Sequence, residues 1–157
     1  MKTVYAFLLL AVFVNSAVAA TPPQNADTAK PAAVLPPGHV PVDTTPVDLS
    51  NIKVPKASGP DARTVAEIVT KRTELKDKTV LVRGKIVKAT RAMDKYFVHL
   101  RDGSGSDADN TNDVLVTTTT QPKAGDVVVV KGIVRTDKDF GSGYSYKVLI
   151  EEATLQK

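Results

Sequence analysis

Apolar and polar residues alternate along much of the second half of the chain, and this period of two is typical of a β-strand with one buried face. The pattern is clearest in one strand, whose apolar face belongs to Tyr96, Val98 and Leu100. Asp102-Gly103 then predicts a tight turn, because glycine relieves steric strain and aspartate bonds its own backbone. The other face of this strand is either a binding surface or an unusual solvated face, since it combines Phe97, His99 and Arg101.

The same alternation predicts further strands over residues 79–90, 113–119, 127–135 and 144–152. Gly84 lies inside the first of them, and a glycine within a strand usually marks a bend or a close approach. It therefore predicts the point at which a long strand curls between two halves of a small barrel. The valine run 127–130 predicts burial on both faces of its strand.

One short helix precedes the strands. Thr64 is able to cap it, Glu67 completes a capping box, and the helix is predicted to end near Thr73. Five strands and this small helix within residues 61–157 predict an all-β fold, a five-stranded barrel. Closure into a barrel removes the exposed edges that short strands otherwise present.

The strands resemble the OB-fold of the tRNA-anticodon-binding-like family of nucleic-acid-binding domains. The resemblance covers residues 64–155 and rests on motifs in a fixed order. They are Val80-x-Val82-x-Gly84-x-Ile86, Phe97-Val98-His99-Leu100-Arg101-Asp102-Gly103-Ser104-Gly105, Val114-Leu115-Val116, Ala124-Gly125-Asp126-x-Val128-x-Val130-x-Gly132-x-Val134 and Tyr144-x-Tyr146-x-Val148-x-Ile150-Glu151. The resemblance implies that Phe97 stacks on a base, with His99 and Arg101 beside it.

Residues 1–20 have the pattern of a cleavable signal peptide. Lys2 gives a positive start, Val4–Val14 is an apolar run too short for a comfortable bilayer span, and Ala17–Ala19 supplies the small residues that a signal peptidase requires. Cleavage after Ala19 or Ala20 predicts a periplasmic or secreted protein without stable membrane insertion, similar to small exported bacterial OB-fold proteins. A retained membrane anchor is the alternative. The chain has no cysteine, which excludes lipidation at cysteine and any disulfide.

Residues 21–60 are predicted to form a Pro-rich, disordered or extended linker, because closely spaced prolines disfavour both helix and strand. The linker is either a plain spacer or a docking segment whose apolar Leu49, Ile52 and Val54 lie along the domain. His39 stands in the linker without partners, which is a poor basis for a metal site.

The formal net charge is +4, and it falls to +3 when Lys2 leaves with the signal peptide. Basic residues concentrate before the strand that contains Tyr96, Val98 and Leu100, which we call the central strand. This concentration favours a phosphate or anion surface beside Phe97. The alternative is a solvated face on which lysine and arginine stems cover apolar surface. The predicted ligand-binding residues are Lys85, Lys88, Arg91, Lys95, Phe97, His99, Arg101 and Tyr144.

Acidic residues concentrate just after the central strand, at Asp102, Asp107, Asp109 and Asp113. They do not match the EF-hand loop, which needs a central glycine and a final acid, so we predict a polar, mobile insertion rather than a calcium site.

His99 has an arginine on its strand face instead of a carboxylate at a matched spacing. The sequence therefore predicts a non-enzyme with no catalytic residues, no metal ion and no cofactor.

Two functions stay open at this point. The first is an exported module that binds single-stranded DNA, RNA or another anionic polymer through the face of the second and third predicted strands. The second is a protein-interaction adaptor of the cell envelope, with an envelope protein as its partner. The Pro-rich linker then extends the distance over which the domain contacts that partner. An open groove lined by Lys88, Phe97 and Tyr144 favours the first function, and burial of Phe97 beneath residues 45–60 of the linker favours the second.

Overall fold

The computed structural model describes residues 40–43, 46–141 and 143–157. The predicted signal peptide, the first part of the predicted linker and His39 lie outside the described residues. The elements of the described part are, in chain order, β1 (Val40–Asp43), α1 (Val65–Thr70), α2 (Arg72–Leu75), β2 (Thr79–Ala92), β3 (Lys95–Arg101), β4 (Val114–Thr118), β5 (Val127–Asp139) and β6 (Ser145–Gln156). Strands dominate, which confirms the all-β class.

The described strands form one six-stranded sheet in the order β1-β2-β3-β4-β6-β5, and β5 pairs again with β2. Strands β2 to β6 therefore make a closed cycle of strand pairs, with β1 added beside β2. The β4–β6 pair is parallel and joins Leu115 to Leu149 and Val116 to Ile150. The other pairs between these strands are antiparallel.

Strand β2 belongs to both halves of the cycle. Its residues Thr79 to Gly84 pair with β5, and its residues from Lys85 onward pair with β3. The change of partner falls at Gly84, where a Cβ atom would lie 2.7 Å from Leu100 Cγ. The predicted close approach at Gly84 is therefore confirmed, since no larger residue fits without displacing β3.

A β-bulge in β2 decides which side chains reach its outer face. Lys85 lies opposite Arg101 and Lys88 lies opposite His99, with the register shift between Ile86 and Lys88. Ile86 is buried, so strict alternation would turn Lys88 toward the core as well. The extra residue of the bulge turns Lys88 outward instead.

The main core lies on the inner face of the closed strands. Among the described residues it includes fully buried positions from the five strands β2 to β6 and from α1, namely Val82, Val98, Val116, Val130, Ile150, Val65 and Ile68. A second, smaller cluster lies on the outer face. It contains Ala92, Phe97, Leu115 and Leu149, with Phe140 and Tyr146 packed against them.

The prediction that the valine run is buried on both faces is wrong. Val128 and Val130 are buried, whereas Val127 is 41% exposed and Val129 is half-buried. Alternation places these last two on the outer face of β5. The main core packs against only the inner face of β5, so the two outer valines keep part of their surface in solvent.

The N-terminus of α1 has the predicted capping box. Thr64 Oγ1 accepts a hydrogen bond from the Glu67 N–H at 3.1 Å, and Glu67 Oε2 accepts one from the Thr64 N–H at 2.7 Å. The helical segment is interrupted at Lys71, so α1 and α2 are separate short helices. Among the described residues, no helix has the length and apolar character needed to cross a lipid bilayer.

The last two strands run further than the alternation predicts. The predicted strands 127–135 and 144–152 leave residues 136–143 outside both of them, but Lys138 pairs with Tyr146 and Asp139 pairs with Ser145. Strands β5 and β6 support each other as a long antiparallel hairpin, which is stabilised by cross-strand contacts that a single segment does not reveal.

The second half of the predicted linker is attached to the domain. We call residues 46–63 the arm. The Val54 N–H donates a hydrogen bond to Asp102 O at 2.9 Å, and Ile52 and Val54 are half-buried, whereas Leu49 is 49% exposed. Upstream of the arm, β1 pairs with β2 although it contains Pro41, because a strand at a sheet edge tolerates a residue without an N–H.

We expect Gly84→Ala to lower the free energy of unfolding by about 2 kcal/mol, because the new Cβ is forced against Leu100 and the Arg101 carbonyl. Urea unfolding measures the change. Lys131→Ala, at an exposed position of β5, is the control and should change stability by less than about 0.5 kcal/mol. Equal stability of the two variants would contradict the close approach.

Candidate functional site

Several of the predicted ligand residues lie together on the outer face of β2 and β3. The β2–β3 register pairs Lys85 with Arg101 and Lys88 with His99. Lys88 is exposed and the other members of the group are half-buried. We call Lys85, Lys88, His99 and Arg101 the basic face.

Asp113 is the residue of this site that sequence reasoning missed. Its Oδ1 lies 2.8 Å from His99 Nδ1, and its Oδ2 accepts a hydrogen bond from Arg101 Nε at 3.2 Å. The prediction that His99 lacks a carboxylate partner is wrong, because the partner is the residue immediately before the neighbouring strand β4. Val114 pairs with Leu100, so the register of β3 and β4 was the signal that could have found it.

Asp113 neutralises part of the basic face. Burial raises the pKa of its carboxyl group, but the hydrogen bond and charge of His99, followed by those of Arg101, outweigh burial and hold the pKa below the ordinary value of 3.8. Asp113 is therefore ionised at neutral pH. It holds the His99 ring and the Arg101 guanidinium in fixed positions, which leaves Lys85 and Lys88 as the cations of this face that Asp113 does not contact.

Phe97 does not present its ring to solvent. The residue is 4% exposed, and its ring centroid lies 5.4 Å from that of Phe140 in an edge-to-face arrangement. Phe140 in turn meets Tyr146 at 6.0 Å. Both covering residues come from the β5–β6 hairpin rather than from the predicted linker, so a base stacks on Phe97 only if this hairpin moves. The binding role of Phe97 stays a prediction.

The remaining predicted residues have other surroundings. The Arg91 guanidinium lies 6.0 Å from the centre of the Tyr96 ring, a cation–π contact beside the main core. Lys95 lines a separate cleft of about 300 Å³ between the ends of β4 and β6. Tyr144 lies half-buried in the hairpin turn, where its N–H donates to Gly141 O at 3.0 Å.

The turn after β3 is a structural junction. Asp102 is 5% exposed, and its carboxylate accepts hydrogen bonds from the Val65 N–H and the Ser104 N–H, both at 2.9 Å. Ser104 Oγ accepts one from the Ala66 N–H at 3.0 Å. The predicted Asp-Gly turn is confirmed, and Asp102 ties the start of α1 to the end of β3 instead of contributing to an acidic surface.

The acidic loop after this junction contacts the basic face through one exposed side chain. Asp107 Oδ1 lies 3.6 Å from Arg101 Nη1, and the Asp107 side chain is 81% exposed. Within the residues that the structure describes, no group of three or more His, Asp or Glu side chains is placed to hold a metal ion.

Comparisons of the chain with protein-family models, with curated proteins and with solved structures find no match. The OB-fold family resemblance therefore stays a prediction, and a function has to be argued from the site itself.

We expect Asp113→Asn to lower the free energy of unfolding at neutral pH by about 1.5 kcal/mol, because it weakens charge-assisted hydrogen bonds to His99 and Arg101. A carboxyl whose pKa is depressed in the folded state stabilises the fold above its unfolded-state pKa and loses that contribution as the pH falls through its folded-state pKa. The deficit of the variant should therefore shrink as the pH falls below 3.8, toward the lower folded-state pKa of Asp113.

Urea unfolding of wild type and variant at neutral and at acidic pH tests this expectation. Asp107→Asn is the matched control, since Asp107 is exposed and its removal should change stability by less than about 0.5 kcal/mol. A deficit of Asp113→Asn that stays constant across the pH range would contradict the role of the ionised carboxylate.

Proposed function

We propose that this chain is an exported OB-fold binding module that holds single-stranded nucleic acid, or another anionic polymer, by charge. The observation that carries the proposal is the β2–β3 register, which sets Lys85, Lys88 and Arg101 on one outer face. Cations spaced along an open strand surface suit the repeated charges of a polyanion backbone.

The strand connectivity supports the OB-fold part of the proposal. Five described strands pair in a closed cycle, and β2 is long enough to belong to both halves. An OB-fold is a five-stranded barrel of this kind, whose strand face and flanking loops bind oligonucleotides or oligosaccharides. The apolar run and small residues of 1–20 support export to the periplasm or beyond.

The state of Phe97 limits the kind of recognition that the face supports. Base stacking on an aromatic ring needs an exposed ring, and this one is covered by Phe140. Contacts to phosphates carry no sequence information. The proposed module therefore tolerates many sequences and depends strongly on salt.

We expect labelled single-stranded DNA and RNA to bind the purified protein at low salt and to dissociate as salt is added, because counterions are released on binding. The double variant Lys85→Glu with Lys88→Glu should lose about tenfold or more in affinity. Fluorescence anisotropy measures both effects.

The control is Lys76→Glu with Lys131→Glu, which changes the net charge equally at exposed positions outside the basic face. It should lose less than about threefold. No binding at low salt, or equal losses in the two double variants, would overturn the proposal. Phe97→Ala is not used, because removing a buried ring costs about 3 kcal/mol of stability and obscures a binding effect.

An envelope adaptor is the second candidate, and one surface favours it. Leu81, Val127 and Val129 line a cavity of about 440 Å³ on the outer side of β2 and β5. Val127 is 41% exposed, Leu81 and Val129 are half-buried beside it, and apolar surface of this kind is typical of protein interfaces. Crosslinking in an envelope extract that Val127→Asp abolishes, together with no oligonucleotide binding, would favour the adaptor over the first function.

A further inference from the structure

A polar cavity of about 230 Å³ lies between the arm and the turn after β3. It borders the basic face, because Arg101 is one of its lining residues. The polar side chains that line it include Asn51, Lys53, Arg101, Ser104, Asp107 and Asn112. Its walls thus come from both the arm and the domain, and they combine cations with amide and hydroxyl groups.

The arm is held at this place by close backbone contacts. A Cβ atom at Gly103 would lie 1.9 Å from Ile52 O, so only glycine lets the arm pass over the turn. The Val54 N–H donates to Asp102 O at 2.9 Å. Lys53 lies between these two contacts, and its backbone is therefore fixed while its side chain stays exposed.

Arg101 makes two ion pairs, a strong one through Nε and a weak one through Nη1. Its Nε donates to Asp113 at 3.2 Å, and this carboxylate is mostly buried. Its Nη1 lies 3.6 Å from Asp107, whose side chain is 81% exposed. Exposed ion pairs at such distances contribute little, so an incoming oxyanion is able to replace the Asp107 carboxylate.

We propose that this cavity binds one phosphate group of the ligand, and that Asp107 is an internal competitor which the phosphate displaces. Lys53 and Arg101 supply the positive charge, while the Asn112 amide supplies a hydrogen-bond donor. The inference rests on the proposed function, since it assigns the place where the anionic polymer enters the basic face. It also gives the arm a part in binding, through Lys53.

The test is a titration of the ¹⁵N-labelled protein with inorganic phosphate, followed by NMR. We expect saturable shifts of the amides of residues 103–105 and 51–53. Asp107→Asn should raise the phosphate affinity about threefold, because it removes the competing charge, and Lys53→Ala should lower it about threefold. Lys56→Ala is the matched control on the same arm and should change nothing, since Lys56 Nζ is paired with Glu67 at 2.7 Å.

The outcomes separate this inference from the proposed function. The phosphate site is overturned if the amide shifts are absent or are spread evenly over surface lysines. It is also overturned if Asp107→Asn binds phosphate with the same affinity as wild type. If Lys85→Glu with Lys88→Glu still abolishes oligonucleotide binding in that case, the proposed function stands alone. Saturable shifts at residues 103–105 without any oligonucleotide binding support the phosphate site and overturn the polymer function.

Discussion

The hydrogen bonds of the turn after β3 are the constraint on which most of the site depends. The Asp102 carboxylate is buried and accepts from the first turn of α1 and from Ser104, while its backbone carbonyl accepts from the arm. A buried carboxylate must be satisfied in this way, because leaving it without donors costs at least a few kcal/mol. Helix, strand and arm are therefore held in one arrangement by the same residue, and Gly103 beside it leaves room for the arm to cross.

The electrostatics of the outer face follow from strand register rather than from net charge. The overall charge is modest, yet the bulge in β2 collects Lys85 and Lys88 beside Arg101. Asp113 is placed among them and makes the face mixed instead of uniformly basic. Asp113 holds His99 and Arg101 in place, and it leaves Lys85 and Lys88 as the cations of this face that it does not contact.

The aromatic residues of the outer face stabilise the long hairpin. Phe97, Phe140 and Tyr146 pack edge to face, with Leu115 and Leu149 completing the cluster. Burial raises the pKa of the Tyr146 hydroxyl, and the nearby Tyr144 adds to the effect. This direction agrees with partial desolvation of the hydroxyl within the cluster. The ring that the family resemblance assigns to base stacking thus contributes to the packing of β3 against the hairpin, and the binding that we propose relies on charge instead.

Interactions between residues close together in the chain determined the strand faces, the start of α1 and the turn after β3. Alternation placed Val98 and Leu100 inward and His99 and Arg101 outward, the capping box located α1, and Asp102-Gly103 defined its turn, because each of these depends on residues close together in the chain. Only the tertiary structure decided the outward position of Lys88, the pairing of Asp113 with His99, the cover over Phe97 and the path of the arm. These features depend on register and contact between distant segments, and single-segment periodicity carries no information about which residue of one strand meets which residue of the next.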